Sequence, residues 1–202
     1  MKKLFLFVLT VTMSTFLFAQ GDTKFGLKGG LNIATTTNSS GGSRDNKVGF
    51  NLGGLAHIHI TPQFALQPEV VYSSQGAKYT ISNGEHQLNL NYINIPVLLQ
   101  YMFDNGFRLQ TGPQLGFLVG VNDKLGGNKT GIFTSNDFKS TDVSWSFGLG
   151  YLTSSGFGLD GRYNLGLSNI NGDPDRTAKV HNSVIQLGVF YLLDHTHKGK
   201  SR

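Results

Sequence analysis

The stretch VSWSFGLGYLTSSGFGLDGRYNLGL, residues 143–167, contains two runs in which apolar residues alternate with small or polar ones. The runs cover residues 143–151 and 157–167, and Ser154, Ser155 and Gly156 lie between them. Successive side chains of a β-strand point to opposite faces, so this period of two predicts two strands, each with one apolar face. The Ser-Ser-Gly sequence predicts a tight turn between the two strands.

The same alternation recurs in six further segments, which brings the number of predicted strands to eight. These segments cover residues 25–33, 48–60, 64–72, 88–101, 107–121 and 185–193. In the fourth predicted strand the apolar phase changes after Tyr92, which predicts a β-bulge near that residue. In the fifth, Val119 and Val121 continue the apolar face that begins at Phe107. The sequence therefore predicts an all-β fold of antiparallel strands.

The connections between the predicted strands alternate in length. Tight turns at 61–63, 104–106 and 154–156 alternate with long polar stretches at 35–47, 79–86, 122–141 and 168–179. Short turns on one rim and long loops on the other are typical of outer-membrane barrels. We therefore expect an eight-stranded antiparallel up-and-down transmembrane β-barrel with short periplasmic turns and long extracellular loops.

Aromatic residues recur at the predicted periplasmic ends of the strands, on the apolar face. They are Phe25, Phe64, Tyr101, Phe107, Tyr151, Phe157 and Tyr191. Aromatic rings concentrate at membrane interfaces because they combine an apolar body with a polar edge. This set is the predicted periplasmic aromatic girdle.

Charge is scarce, and it is concentrated at the chain ends. Five of the 17 Lys and Arg residues are Lys2, Lys3, Lys198, Lys200 and Arg202, and removing them leaves 12, equal to the 12 Asp and Glu. A nucleic-acid-binding protein needs an unbalanced basic face, which this sequence does not supply, so we expect no nucleic-acid partner. The absence of Cys excludes disulfides, thiolate metal sites, a cysteine nucleophile and a lipoprotein anchor.

Three regions follow from this pattern. Residues 1–19 are predicted to be a cleaved export signal, with Lys2 and Lys3 before an apolar stretch and Ala19 before the cut. An uncleaved anchor helix is the alternative. Residues 20–194 are the predicted barrel domain, and residues 195–202 a basic periplasmic tail. The predicted location is the outer membrane.

Four stretches in chain order resemble strands of a known family: GLKGGLN at 26–32, LQPEVVYSSQGA at 66–77, YINIPVLLQY at 92–101 and GPQLG at 112–116. On these stretches the chain resembles the porin-like outer membrane β-barrel proteins of the Bacteroidetes, which include PorT-like relatives of a secretion-system component. The resemblance covers nearly the whole mature chain and implies the same barrel. The tail after Leu193 departs from the apolar, aromatic ending that such barrels usually have.

The inward face of the predicted barrel carries charged residues. They are Lys24, Lys28, Glu69, Arg108, Asp160 and Arg162, together with His57. Eight strands enclose an interior just wide enough for side chains to fill, so no open pore is expected. Charges in such a lumen must pair to offset their desolvation. We expect a structural salt-bridge network of Glu69, Arg108, Asp160 and Arg162; a proton or ion relay is the alternative.

No pattern predicts a catalytic, cofactor or metal site. His57 and His59 share one strand face but lack an evident third ligand, and His195 and His197 lie in the tail. Some eight-stranded barrels are lipid-modifying enzymes. Here His181, Ser183 and His86 lie near the long-loop rim, but periodicity assembles no Ser, His and acid trio. We therefore expect no enzyme and no cofactor.

The expected function is a structural or surface-interaction role through the extracellular loops, above all residues 122–141, because exposed loops commonly carry function. The alternative is an accessory role in envelope assembly or protein secretion, through the periplasmic rim and the tail. A narrow small-solute channel and a lipid-modifying enzyme are further alternatives. We expect a monomer whose partners are outer membrane lipid and a protein bound at the loops or the tail.

Overall fold

The computed structural model describes residues 23–38, 44–81, 84–173 and 178–193. The predicted export signal and tail lie outside these ranges. The strands are β1 Thr23–Asn38, β2 Lys47–His59, β3 Phe64–Ile81, β4 Gly84–Met102, β5 Phe107–Leu125, β6 Asn128–Lys129, β7 Thr141–Leu152, β8 Phe157–Gly166 and β9 Val180–Leu192. A single turn of 3-10 helix covers Ser135–Asp137. Among the described residues, no helix has the length and apolar character needed to cross a membrane.

The eight long strands form a closed antiparallel ring. Each long strand pairs with the next one along the chain, and pairing between β1 and β9 closes the ring. The two-residue strand β6 adds only to β5. This arrangement confirms the predicted eight-stranded up-and-down barrel. The turns at 60–63, 103–106 and 153–156 define a short-turn rim, and the opposite end is the long-loop rim.

Large apolar side chains cover the outside of the ring. Leu27, Leu52 and Leu187 are each more than half exposed, and the other ring strands expose apolar residues at the same alternate positions. The residues between them point into the lumen, where most are polar or are glycine. At Gly112 a Cβ would collide with the Val97 carbonyl, so this inward position has no room for a side chain. Apolar outside and polar inside is the pattern of a membrane-embedded barrel.

Three strands extend beyond the apolar band on the long-loop side. The outward positions there are polar: Lys78 and Thr80 on β3, Glu85, Gln87 and Asn89 on β4, and Asn122 and Lys124 on β5. We call residues 74–81, 84–91 and 120–125 the projection. The sequence was expected to form a loop over residues 79–86. Instead Tyr79 pairs with His86, and the strands continue to Ile81 and from Gly84.

The predicted bulge lies at the level of Tyr92, but its extra residue belongs to β5. Asn91 pairs with Gly120 and Tyr92 with Leu118, so Val119 has no partner on β4. Strand β4 keeps one phase throughout, with its even-numbered residues inward. Val121 consequently packs inside the barrel and not on the lipid face where it was expected. The apparent phase change arises because the outward face of β4 is polar above Tyr92 and apolar below it, while the inward residues Leu88, Leu90 and Tyr92 are apolar.

The lumen is layered along its axis. Near the short-turn rim Leu55, Phe190 and Leu192 form a buried group against Leu152, which we call the lower cluster. Charged residues follow, and then a layer of buried amides and hydroxyls that includes Asn32, Asn51, Ser73, Gln114, Ser146 and Asn164. Leu88, Leu90, Tyr92 and Ile170 form the upper cluster, within the projection and the loops that cover it.

Candidate functional site

Four charged side chains meet in the middle of the lumen. Arg162 donates to both carboxylate oxygens of Glu69, from Nη2 to Oε1 at 2.9 Å and from Nη1 to Oε2 at 3.0 Å. Lys28 Nζ lies 3.0 Å from Asp160 Oδ2 and 3.3 Å from Glu69 Oε2. Arg162 Nη2 also lies 3.3 Å from Asp160 Oδ2. We call this group the ionic square; its two cations and two carboxylates balance.

Strand geometry brings these residues together. Asp160 and Arg162 are two positions apart on β8, so both point inward, and Lys28 and Glu69 come from β1 and β3. The square therefore joins strands that are not neighbours in the ring. Bidentate contact between a guanidinium and a carboxylate is among the strongest hydrogen-bonded arrangements in proteins.

Amide side chains extend the square on the β2 and β3 side. Gln67 Nε2 donates to Glu69 Oε1 at 2.8 Å, and Gln67 Oε1 lies 3.2 Å from His57 Nδ1. Glu69 is 2% exposed, so these contacts supply the partners that water would otherwise provide. The square and its amides form one buried polar network from β2 to β8.

Arg108 was expected to share the carboxylates, and the structure does not bring it to them. Its Nη1 donates to Gln100 Oε1 at 3.2 Å, and its guanidinium carbon lies 5.8 Å from the centroid of the Phe190 ring. Lys28, which was not part of the predicted network, contacts the Glu69 and Asp160 carboxylates instead. Periodicity identified Lys28 as an inward residue. It could not show which inward residues meet, because that depends on the stagger of the strands around the ring.

The histidines and the serine considered for chemistry fall into three separate places, on β2, β4 and β9. His57 and His59 have ring centroids 4.7 Å apart, but the described residues contain no group of three or more side chains suited to a metal. His181 and Ser183 lie on β9, whereas His86 lies on β4 and contacts Asp123. The structure therefore assembles no Ser, His and acid trio from these residues. His195 and His197 lie outside the described residues.

A second buried polar group ties the projection together, above the apolar band. Asp123 accepts hydrogen bonds from the Tyr79 hydroxyl at 2.7 Å and from Thr130, and lies 2.9 Å from His86 Nδ1. Burial raises the pKa of Tyr79, and its bond to the Asp123 carboxylate raises it further. Burial acts to raise the pKa of Asp123, but the hydrogen bonds from Thr130, His86 and Tyr79 outweigh it and lower the pKa.

The loops at the long-loop rim fold onto the upper cluster. Phe133 and Phe138 of the segment 126–140 pack against it, and Ile170 of the segment 167–173 is fully buried in it. Lys139 N donates to the Ile170 carbonyl at 2.9 Å, and this bond joins the two segments. Residues 122–141 were expected to form an exposed loop. The two phenylalanines in this mostly polar stretch were the signal of a packed loop.

Comparisons with known proteins agree with this architecture. The family model for the outer membrane protein beta-barrel domain matches residues 18–172. Neisserial surface protein A matches with a TM-score of 0.53 and 18% identity, over 84% of this chain and 98% of that one. Ail, the attachment invasion locus protein of Yersinia pestis, matches with a TM-score of 0.51 and 14% identity, over 86% and 99%. No curated protein matches the sequence. The chain belongs to the outer membrane β-barrel protein family.

Proposed function

We propose that this protein is a non-enzymatic outer membrane barrel with a filled lumen, and that it acts through the surface its long loops present outside the cell. The observation that carries this proposal is the ionic square. It crosses the lumen between β1, β3 and β8, with apolar clusters on both sides of it along the barrel axis.

The lumen is expected to stay filled because opening it to a solute would cost free energy. A solute passing through the barrel would have to separate Glu69 from Arg162, both of which are almost fully buried. Removing one partner from a buried ion pair costs about 3–5 kcal/mol, because the other charge is left uncompensated. The solute would also have to displace both apolar clusters. The structural role of the network is therefore favoured over an ion relay or a small-solute channel.

The long-loop rim is suited to binding. Segments 126–140 and 167–173 are anchored by the upper cluster and by the bond between Lys139 and Ile170. An anchored loop loses little conformational entropy when it binds a partner. Ile132, which is 49% exposed, lies on the anchored segment and offers an apolar contact. Ail, described as an attachment invasion protein, shares this barrel fold, which is consistent with a surface role.

The outer face is proposed to contact lipid directly. The seven aromatic residues of the predicted girdle all have outward positions near the short-turn rim, and Phe64 stacks edge-on with Tyr101 at 5.2 Å. We propose that this girdle lies at the periplasmic interface, that the export signal is cleaved, and that the barrel is a monomer. Membership of the Bacteroidetes branch of the family is part of the same proposal.

The second candidate function is an accessory role in envelope assembly or secretion. The observation that favours it is the basic end of the chain, with Lys198, Lys200 and Arg202 beyond β9. A cluster of cations at the periplasmic rim could dock an acidic partner.

Complementation of a deletion strain separates the two functions. One variant replaces residues 126–140 with Gly and Ser, and the other ends at residue 194. We expect both to insert normally, and only the loop variant to lose the envelope and surface phenotypes that the wild type restores. Loss of function in the truncated chain alone would support the secretion role and contradict the surface role.

A further inference from the structure

The charges inside the lumen do not balance. Lys28, Arg108 and Arg162 are buried cations, whereas Glu69 and Asp160 are the carboxylates beside them. The ionic square uses both carboxylates for Lys28 and Arg162. Arg108 remains as one positive charge in excess in this part of the described lumen.

Arg108 is enclosed where water cannot compensate its charge. It is 4% exposed and lies against Phe190, a member of the lower cluster on the short-turn side. No carboxylate of the described residues forms an ion pair with it; its contacts are the neutral Gln100 amide and the Phe190 ring. A buried cation without a counter-charge is costly, and proteins normally pair such groups.

Two of the buried polar atoms in the Arg108 and Gln110 side chains lack partners, and both are donors. Gln100 Oε1 accepts from Arg108, and Gln100 Nε2 donates to Gln110 Oε1 at 3.1 Å. The side-chain oxygens of Gln100 and Gln110 therefore already accept hydrogen bonds. Gln110 Nε2 and Arg108 Nε are buried and have no acceptor. Arg108 and Gln110 are two positions apart on the inward face of β5, so both side chains enter the lumen from neighbouring inward positions.

The neighbouring strand supplies no acceptor side chain. In the register between β5 and β7, Gly150 pairs with Arg108 and Gly148 with Gln110. Two glycines therefore line this wall, and the Arg108 and Gln110 side chains lie directly against them: a Cβ at Gly148 would meet Gln110 Nε2 at 2.8 Å, and one at Gly150 would meet Arg108 Cγ at 3.3 Å. An excess cation and two buried donors without acceptors together define a site for a negative ligand.

We propose that a small inorganic anion of the halide class binds inside the barrel, held by Arg108 Nε and Gln110 Nε2. The anion balances the Arg108 charge and satisfies both donors. Because the lower cluster closes the lumen on that side, the anion is taken up as the barrel folds. Arg162 Nε also lacks an acceptor, but the Arg162 charge is already balanced by Glu69 and Asp160, so it does not require an anion.

Bromide tests the site directly in the wild-type protein. The full chain is refolded in sodium bromide and crystallised in the same salt, and the anomalous signal of bromine is measured. We expect an anomalous peak within hydrogen-bond distance of Arg108 Nε and Gln110 Nε2. No peak in the lumen, or a carboxylate from residues 194–202 in contact with Arg108, would overturn the assignment.

Thermal unfolding provides a second test in solution. At constant ionic strength, replacing bulky gluconate by chloride during refolding is expected to raise the wild-type midpoint, with saturation as chloride increases. Arg108→Met is expected to abolish this dependence, and Lys24→Met, which removes a cation at the short-turn rim, is expected to keep it. A midpoint insensitive to chloride in the wild type, or equal sensitivity in both variants, would contradict the site.

Discussion

Among the individual residues, Glu69 depends most on its neighbours, because its charge is buried. It is buried at 2% exposure and receives contacts from Arg162, Lys28 and Gln67. A carboxylate in such a place is stable only as long as its cations remain. Side chains of this kind govern stability far more than charges at the surface.

Removing the Glu69 charge should therefore destabilise the barrel strongly. We expect Glu69→Gln to lower the free energy of unfolding by about 3–5 kcal/mol, because Arg162 loses its bidentate partner. Urea unfolding in lipid vesicles, followed by heat-modifiable gel mobility, measures the loss. The matched control is Glu85→Gln, which breaks the exposed pair with Lys78. The control should cost less than about 1 kcal/mol; equal losses in the two variants would contradict the assignment.

The Asp123 carboxylate predicts a pH dependence in the projection. Its pKa is lowered in the folded protein, so its contribution to stability is present at neutral pH. That contribution is lost as pH falls below the ordinary carboxyl value of about 3.9 and through the lowered value. The protection of residues 120–130 against hydrogen exchange, measured relative to the intrinsic rate at each pH, should therefore fall in that acidic range. In Asp123→Asn the protection should already be low at pH 7, and a variant that retains the wild-type acid response would refute this interpretation.

Among the elements, the projection differs most from the membrane-embedded ring. Below Tyr92 the outside is apolar and the lumen is mostly polar apart from the lower cluster; above it Leu88 and Leu90 make the inside apolar, and the outside is polar. The projection is therefore built like a small water-soluble sheet covered by loops. Its core stabilises the loops and not the ring.

Truncating this core should loosen the loops and spare the barrel. We expect Leu90→Ala to cost about 2–5 kcal/mol locally and to increase protease cleavage within 126–140. Heat-modifiable mobility should stay that of the folded ring. Val119→Ala is the control, since Val119 is exposed on the outer face. Unchanged cleavage in Leu90→Ala would show that the loops do not depend on the upper cluster.

Period-two alternation was sufficient to predict all eight ring strands, because each strand separates lipid from lumen. It failed where that separation ends. In the projection the apolar residues lie on the inward face and the polar residues on the outward face. The apolar Leu88 and Leu90 therefore led to the prediction of a bulge in β4, whereas the extra residue is Val119 of β5. The partners within the lumen could not be predicted either. Arg108 and Lys28 have the same charge and the same inward phase, and only the stagger of the strands decides which one meets Asp160.

For the whole molecule, the composition follows from the architecture. The lipid face tolerates no charge and the lumen mainly paired charge, which explains why charged residues amount to only 14%. The chain contains no Cys, so single cysteines can be introduced without a background. Labels on introduced cysteines can therefore test, along a complete strand, which side chains face lipid and which face the lumen.

A cysteine scan of β9 should reproduce the alternation. Spin labels at Leu187 and Val189 should collide with oxygen dissolved in lipid, and labels at Val184 and Gln186 should be immobilised and shielded, because those side chains are buried. Electron paramagnetic resonance with the protein in lipid vesicles measures both properties. Equal accessibility to oxygen at all four positions would contradict the assignment of alternate β9 residues to lipid and lumen.

The central claim is that the lumen is closed by its own side chains, and single-channel recording in planar bilayers tests it most directly. The wild-type barrel, with the ionic square and both apolar clusters intact, is predicted to insert without producing resolvable current steps. Stable, reproducible conductance steps from the wild-type protein would contradict a filled lumen and restore the solute channel as its function.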